Sequence, residues 1–148
     1  MSSNYLSLNH HLIFATKSRE PSIAPEWRTK LHRYLGGIAQ NLNAHVHCIG
    51  GTNDHVHLLV EFRATNCLAD FMRDLKRASS SWVHSDIPLK TFAWQEGYAA
   101  IVVSPSGVDE VRRYIDTQEE HHRHRGSLEE LRILLEKAGI KYDPRFLE

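Results

Sequence analysis

Apolar and polar positions alternate at the start of the chain, with Leu6, Leu8, His10, Leu12 and Phe14 set against Ser7, Asn9, His11 and Ile13; this predicts a first strand ending near Thr16. Lys17, Arg19, Pro21 and Pro25 form a polar connection, and from Glu26 the positions Trp27, Leu31, Leu35, Ile38 and Leu42 recur at the spacing of one helical face, ending near Asn43. Gly36 and Gly37 inside that helix each cost about 1 kcal/mol relative to alanine, so a close backbone approach is expected there. His45 to Ile49 reads as a second strand, Gly50-Gly51-Thr52-Asn53 as a hairpin turn, and His55 to Phe62 as a third strand. Thr65 or Asn66 can cap a second helix whose seam is Leu68, Phe71, Leu75 and Trp82. The loop from Pro88 to Gly97 carries Phe92 and Trp94, which either lid a core or stack bases. Tyr98 to Val103 is apolar on both faces, which predicts a strand in the middle of its sheet.

Ser106 with Asp109 resembles a capping box for a third helix with the seam Val108, Val111 and Ile115. Ser127-Leu128-Glu129-Glu130 reads as another, opening a fourth helix with Leu128, Leu131, Leu134, Leu135 and Ala138 on one face and Gly139 as its stop. The order strand, helix, strand, strand, helix, strand predicts an α+β fold: the ferredoxin-like (RRM-like) β-α-β-β-α-β unit, an antiparallel sheet backed by helices, followed by two further helices. In that topology the first and third strands are the central pair. A chain of 148 residues without internal repeats is expected to form one domain over residues 1–148.

Composition narrows the function classes. Apolar residues are 41% and charged residues 24%, ordinary for a globular protein. The longest apolar run falls far short of the roughly 18 residues of a membrane span, and no secretory leader is visible, so the expectation is a cytoplasmic protein with no membrane partner. Cys48 and Cys67 form neither a disulfide framework nor a Cys-x-x-Cys pair. Lys plus Arg equals Asp plus Glu at 18 each, so a polyanion must be met by a local patch rather than a global field.

Candidate chemistry begins at Asp54-His55-Val56-His57. In a strand, His55 and His57 point to the same face and can share a metal ion, and burying two bare imidazoles is costly, which favours the open face of the sheet or a metal. A second pair, His45 and His47, is read as structural because no further ligand follows from it. On the third helix Tyr114 and Gln118 lie four residues apart on one edge, with His121 and His122 a turn further on. Arg73, Lys76 and Arg77 can meet neighbouring phosphates, or else form a solvated face paired with Asp70 and Asp74. Lys17, Arg19, Arg112, Arg113, Arg123 and Arg125 are further candidates for a basic track along DNA.

These residues together resemble the single-tyrosine HUH transposases of the insertion-sequence-200 type. The resemblance covers nearly the whole chain. It includes Leu12-Ile13-Phe14-Ala15-Thr16-Lys17, Asp54-His55-Val56-His57-Leu58-Leu59-Val60, Leu75-Lys76-Arg77-Ala78-Ser79-Ser80-Ser81-Trp82, Phe92-Ala93-Trp94-Gln95-Glu96-Gly97-Tyr98 and Tyr114-Ile115-Asp116-Thr117-Gln118-Glu119-Glu120-His121-His122. It implies a dimeric enzyme that cuts and joins single-stranded DNA and recognises hairpins near the ends of its element, with no nucleotide cofactor. It further implies Tyr114 as nucleophile, leaving a 5′-phosphotyrosine, His55, His57 and Gln118 as ligands of a divalent ion, Mg2+ or Mn2+, and a nucleoid-associated setting; His121 and His122, placed on the same helix, would bind a softer ion better than Gln118. A phenol with a pKa near 10 is a poor nucleophile at neutral pH, so it needs the phosphate activated and the leaving oxygen stabilised, which a divalent ion supplies. Two other readings are a domesticated protein that binds hairpins without cutting, and a metal-dependent phosphodiesterase with a water nucleophile.

Overall fold

The computed structural model describes residues 3–118 and 126–146. Four strands, β1 (Asn9–Ala15), β2 (His45–Gly51), β3 (His55–Glu61) and β4 (Ala99–Val103), form one antiparallel sheet in the order β2-β3-β1-β4. Helix α1 (Pro25–Asn41) joins β1 to β2 and α2 (Leu68–Asp86) joins β3 to β4; α3 (Val108–Asp116) and α4 (Ser127–Lys137) follow. As expected, β1 and β3 are the central pair.

The side-chain period of two divides the sheet into two unlike faces. Leu12 and Phe14 of β1 with Val56, Leu58 and Val60 of β3 pack under α1 and α2, where Leu31, Leu35, Met72 and Leu75 complete the main core. Phe92 and Trp94 belong to that core, edge-on to Trp27 and Phe14 respectively, and the Trp94 indole donates to the buried Ser79 hydroxyl at 2.9 Å. They are buried core aromatics. On the other face, α3 covers Leu59 and Val103 with Ile115, and α4 covers Ile13 with Leu131 and Leu135. Both flanking helices therefore lie over the face that carries His55 and His57.

Several expectations are corrected. Strand β4 is an edge strand, not a central one: of its residues only Val103 is buried, and Val102 is 73% exposed. The first strand starts at Asn9 rather than Leu6, because Leu6 is exposed and Asn9 is the first residue paired across the sheet. Gly50 and Gly51 are not turn residues; they end β2 opposite His57 and Val56, and the reversal falls on 52–54. Neither Thr65 nor Asn66 caps α2, which begins after Cys67; Asn66 instead accepts from the Arg63 amide at 2.8 Å. Ser106 makes no cap for α3, which is preceded by a 3-10 turn over Pro105–Gly107. Gly139 does follow the end of α4 with φ of +70°, the left-handed conformation that a helix-stopping glycine adopts.

Close backbone approach is needed at Gly50 rather than at the glycine pair of α1. A Cβ on Gly50 would sit 2.4 Å from the Ile115 carbonyl oxygen, so its absence lets α3 lie directly on the sheet, whereas a Cβ on Gly37 would meet nothing within 4 Å. Two substitutions are expected to diverge in thermal melts: Gly50→Ala destabilises by about 1–3 kcal/mol through forced displacement of α3, and Gly37→Ala stabilises by up to about 1 kcal/mol through helix propensity.

Candidate metal centre and tyrosine

Three parts of the chain converge on one point of the sheet face under α3 and α4. β3 supplies His55 and His57, the residues 114–118 supply Tyr114 and Gln118, and the first turn of α4 supplies Glu130. His55 is 1% exposed, His57 0%, Gln118 2% and Glu130 2%. Glu130 Oε1 lies 2.8 Å from His57 Nε2 and 3.5 Å from His55 Nε2, while the Tyr114 hydroxyl donates to Glu130 Oε2 at 2.5 Å. Gln118 Oε1 lies 3.1 Å from His55 Nε2. Two imidazole nitrogens, a carboxylate oxygen and an amide oxygen thus face the same small volume.

The far side of each imidazole is also engaged. His55 Nδ1 lies 2.8 Å from Asp54 Oδ1, whose other oxygen accepts from the Ser127 hydroxyl at 3.1 Å, and Ser127 in turn accepts from the Arg19 guanidinium at 2.9 Å. His57 Nδ1 lies 2.7 Å from His11 Nε2. Burial, with His57 beside it, pushes the His11 pKa down to about 3, so His11 is neutral and its Nε2 and His57 Nδ1 share one proton. These partners turn Nε2 of both histidines to the shared point, the nitrogens through which a metal ion would be held.

Electrostatics follow from burial. Burial alone depresses an imidazolium, but hydrogen bonds to Asp54, Glu130 and Gln118 outweigh it and raise the His55 pKa to about 9. Burial alone would raise a carboxyl, yet the bonds from His55, His57 and Tyr114 hold Glu130 well below the usual carboxylate range. In the metal-free protein a buried carboxylate is therefore stabilised by an imidazolium, which a divalent cation can replace.

The donor set fits such an ion. His55, His57 and Glu130 each present one ligand atom, all within 4.8 Å of one another. Mixed nitrogen and oxygen donors of this kind suit divalent first-row ions, and the oxygens suit Mg2+. Glu130 is the residue that sequence reasoning missed. Ser127 and Glu130 had the spacing of a capping box, yet α4 has no side-chain cap: the Ser127 hydroxyl goes to Asp54, and the Glu130 carboxylate goes to the histidines. The signal available was position, because Glu130 lies on the helical face of Leu134, beside the apolar seam, where a solvated carboxylate does not belong. His121 and His122, with Arg123 and Arg125, lie outside the described residues.

The expected basic residues are not one track. Arg73 pairs with Asp70 and Asp74, both at 3.1 Å. Lys76 donates to the carbonyls of Gln95, Glu96 and Gly97 at 2.7–3.1 Å, and burial lowers its pKa to about 8. Together with Arg77 they line one cavity of about 520 Å³. Arg19 points inward to Ser127, Lys17 and Arg113 are exposed, and Arg112 donates to the His47 carbonyl at 3.1 Å. His47 itself contacts Asn9 Oδ1 at 2.9 Å, in keeping with a structural role for the second histidine pair.

Residues 4–118 match the family model described as "Transposase IS200 like". The chain belongs to the IS200-like transposase family. The ISDra2 transposase TnpA of Deinococcus radiodurans is 29% identical over 117 residues, 75% of this chain and 84% of that protein. A solved structure of a candidate transposase from Deinococcus radiodurans R1 superposes with a TM-score of 0.65 at 29% identity, covering 80% of this chain and 96% of that one. The structure of a REP-associated tyrosine transposase bound to a REP hairpin superposes with a TM-score of 0.61 at 12% identity, over 82% of this chain and 73% of that one; it supports the fold alone. No described helix is long and apolar enough to cross a membrane.

Within this IS200-like architecture, ion binding must displace the proton that His55 carries below about pH 9. Between roughly pH 6 and pH 8 the affinity for Mn2+ is therefore expected to rise by up to about tenfold per pH unit for each proton displaced. Calorimetric titration of the apo-protein at several pH values checks this; an affinity independent of pH contradicts it.

Proposed function

We propose that this family member is a transposase that cleaves and rejoins single-stranded DNA through a 5′-phosphotyrosine on Tyr114. The observation that carries this reading is the single carboxylate of Glu130, which meets both histidines through Oε1 and the Tyr114 hydroxyl through Oε2. It joins a prospective metal centre to a nucleophile in one hydrogen-bonded unit. The catalytic domain is a ferredoxin-like core with α3 and α4 closing its open face.

In this mechanism His55 and His57 would hold a divalent ion, Mg2+ or Mn2+, with oxygen donors from Gln118 and Glu130. When bound, the ion supplies charge neutralisation at the scissile phosphate and at the departing 3′ oxygen. Glu130 accepts the phenol's hydrogen bond at Oε2 and orients it; as the tyrosine oxygen bonds to phosphorus its proton leaves to water, the phosphorus–O3′ bond breaks, and the released 3′ oxygen takes a proton from water. Asp54 and His11 keep the two imidazoles in the required tautomer and orientation. The phosphodiester energy is retained in the covalent link, so a 3′-hydroxyl of another strand can reverse the step and join DNA without a nucleotide cofactor. The enzyme is proposed to act as a homodimer. Hairpins at the element ends are the proposed recognition features, in line with the hairpin bound by the REP-associated protein.

The test uses labelled single strands carrying the imperfect palindromes that flank the gene, incubated with Mg2+ or Mn2+ and run on a denaturing gel. A slow protein–DNA adduct is expected, absent in Tyr114→Phe and reduced by roughly 10–100-fold in Glu130→Ala. Cut DNA without adduct supports a water nucleophile instead, and bound but uncut DNA supports a binding protein. Cleavage by Tyr114→Phe at the parental rate contradicts the mechanism.

A further inference from the structure

A second cavity, of about 350 Å³, opens on the same sheet face one strand away from the candidate metal centre. Its floor is β1 and β4 at Ile13, Ala15 and Ala99, and its far wall is Leu131 and Leu135 of α4, the helix that delivers Glu130. Ile13 is paired with His57 and Ala15 with His55 across the β1–β3 ladder, so the cavity and the histidines are neighbours by register. Arg19 lines the cavity and reaches the centre through Ser127 and Asp54.

Gln95, at the mouth, has a second property. Its Oε1 is buried and accepts no hydrogen bond among the described residues. A buried carbonyl oxygen left without a donor costs about 1–3 kcal/mol, so it calls for a partner that the folded chain does not supply. Tyr98 stands beside Gln95, and its ring lies under the Lys76 ammonium at 5.5 Å. Gln95 and Tyr98 line this cavity and also the 520 Å³ cavity that holds Arg73, Lys76 and Arg77. A path therefore runs from a basic surface, over an aromatic ring, into an apolar slot, and ends beside the histidine pair.

From these observations we infer that the slot between β4 and α4 is a nucleobase subsite, which takes one unstacked base of the single strand whose phosphates cross the Arg73–Lys76–Arg77 surface. The apolar walls fit the faces of a base and the volume admits a base with its sugar. Gln95 Oε1 accepts from an exocyclic amine, which favours cytosine, adenine or guanine over thymine. Occupancy of the slot sets which phosphate of the strand comes to rest against Tyr114 and the histidines. The subsite rests on the transposase reading and adds to it a base-specific contact made by protein.

Fluorescence anisotropy with end-labelled oligo(dC), oligo(dT) and an abasic deoxyribose-phosphate strand, each of about ten nucleotides, tests the subsite. The full-length protein is expected to prefer oligo(dC) over oligo(dT), and both over the abasic strand. In Ala99→Leu, whose side chain fills the slot, the advantage of oligo(dC) over the abasic strand should fall by about tenfold, as removal of one stacked base does. In Gln95→Leu the preference for oligo(dC) over oligo(dT) should disappear. If Ala99→Leu no longer melts cooperatively, the Gln95→Leu result decides alone. Unchanged preferences in the folded variants, or a wild-type protein that binds none of the strands, overturn the subsite and leave the transposase reading to the adduct assay alone.

Discussion

A carboxylate sealed from water must be paired, and Glu130 is paired three times. Its oxygens meet His55, His57 and Tyr114 at the centre of the sheet's second face. Removing any one partner leaves charge or a polar group stranded where water does not reach, a cost of several kcal/mol in typical buried pairs. The position of α4 depends on this contact as much as on Leu131 and Leu135, because the same turn also sends Ser127 to Asp54. The helix is held at one end by polar chemistry and along its length by apolar packing.

The sheet makes this arrangement precise. β1 and β3 are the inner strands, bonded on both edges, so His11, His55 and His57 project from its most constrained part. Two faces with different duties are the consequence of strict alternation: Val56, Leu58 and Val60 stabilise the domain under α1 and α2, and the residues between them are released for chemistry. Gly50 completes the geometry by letting α3 descend onto the sheet, which brings Tyr114 and Gln118 within reach of the histidines.

Much of this was legible in the sequence. Period-two alternation at His55–Glu61 and helical spacing at Trp27, Leu31 and Leu35 led to the right elements, and their order led to the right central strands. The errors share a physical cause, since local patterns carry no information about what lies above a residue. Tyr98 to Val103 looked central because an apolar run does not say which place its strand takes in the sheet, and Gly50-Gly51 looked like a turn because glycine serves turns and close approaches alike. Ser127 and Glu130 looked like a cap because the same spacing that satisfies a helix terminus can place two side chains against another element. Of the proposed ligands, the histidine pair was visible as a local motif and Gln118 through family resemblance. Glu130, more than seventy residues from His57 in sequence, was found only once the fold brought them together.

The proposed metal site of His55, His57 and Glu130 beside Tyr114 is what the chemistry depends on. Pulsed EPR of the protein loaded with Mn2+, with its histidines 15N-labelled, tests this most directly. The account predicts a single class of bound ion coupled to two imidazole nitrogens, with one coupling lost in His57→Ala and with binding weakened in Glu130→Ala but not in His45→Ala. An ion coupled to no imidazole nitrogen, or one whose couplings survive His57→Ala, would contradict it.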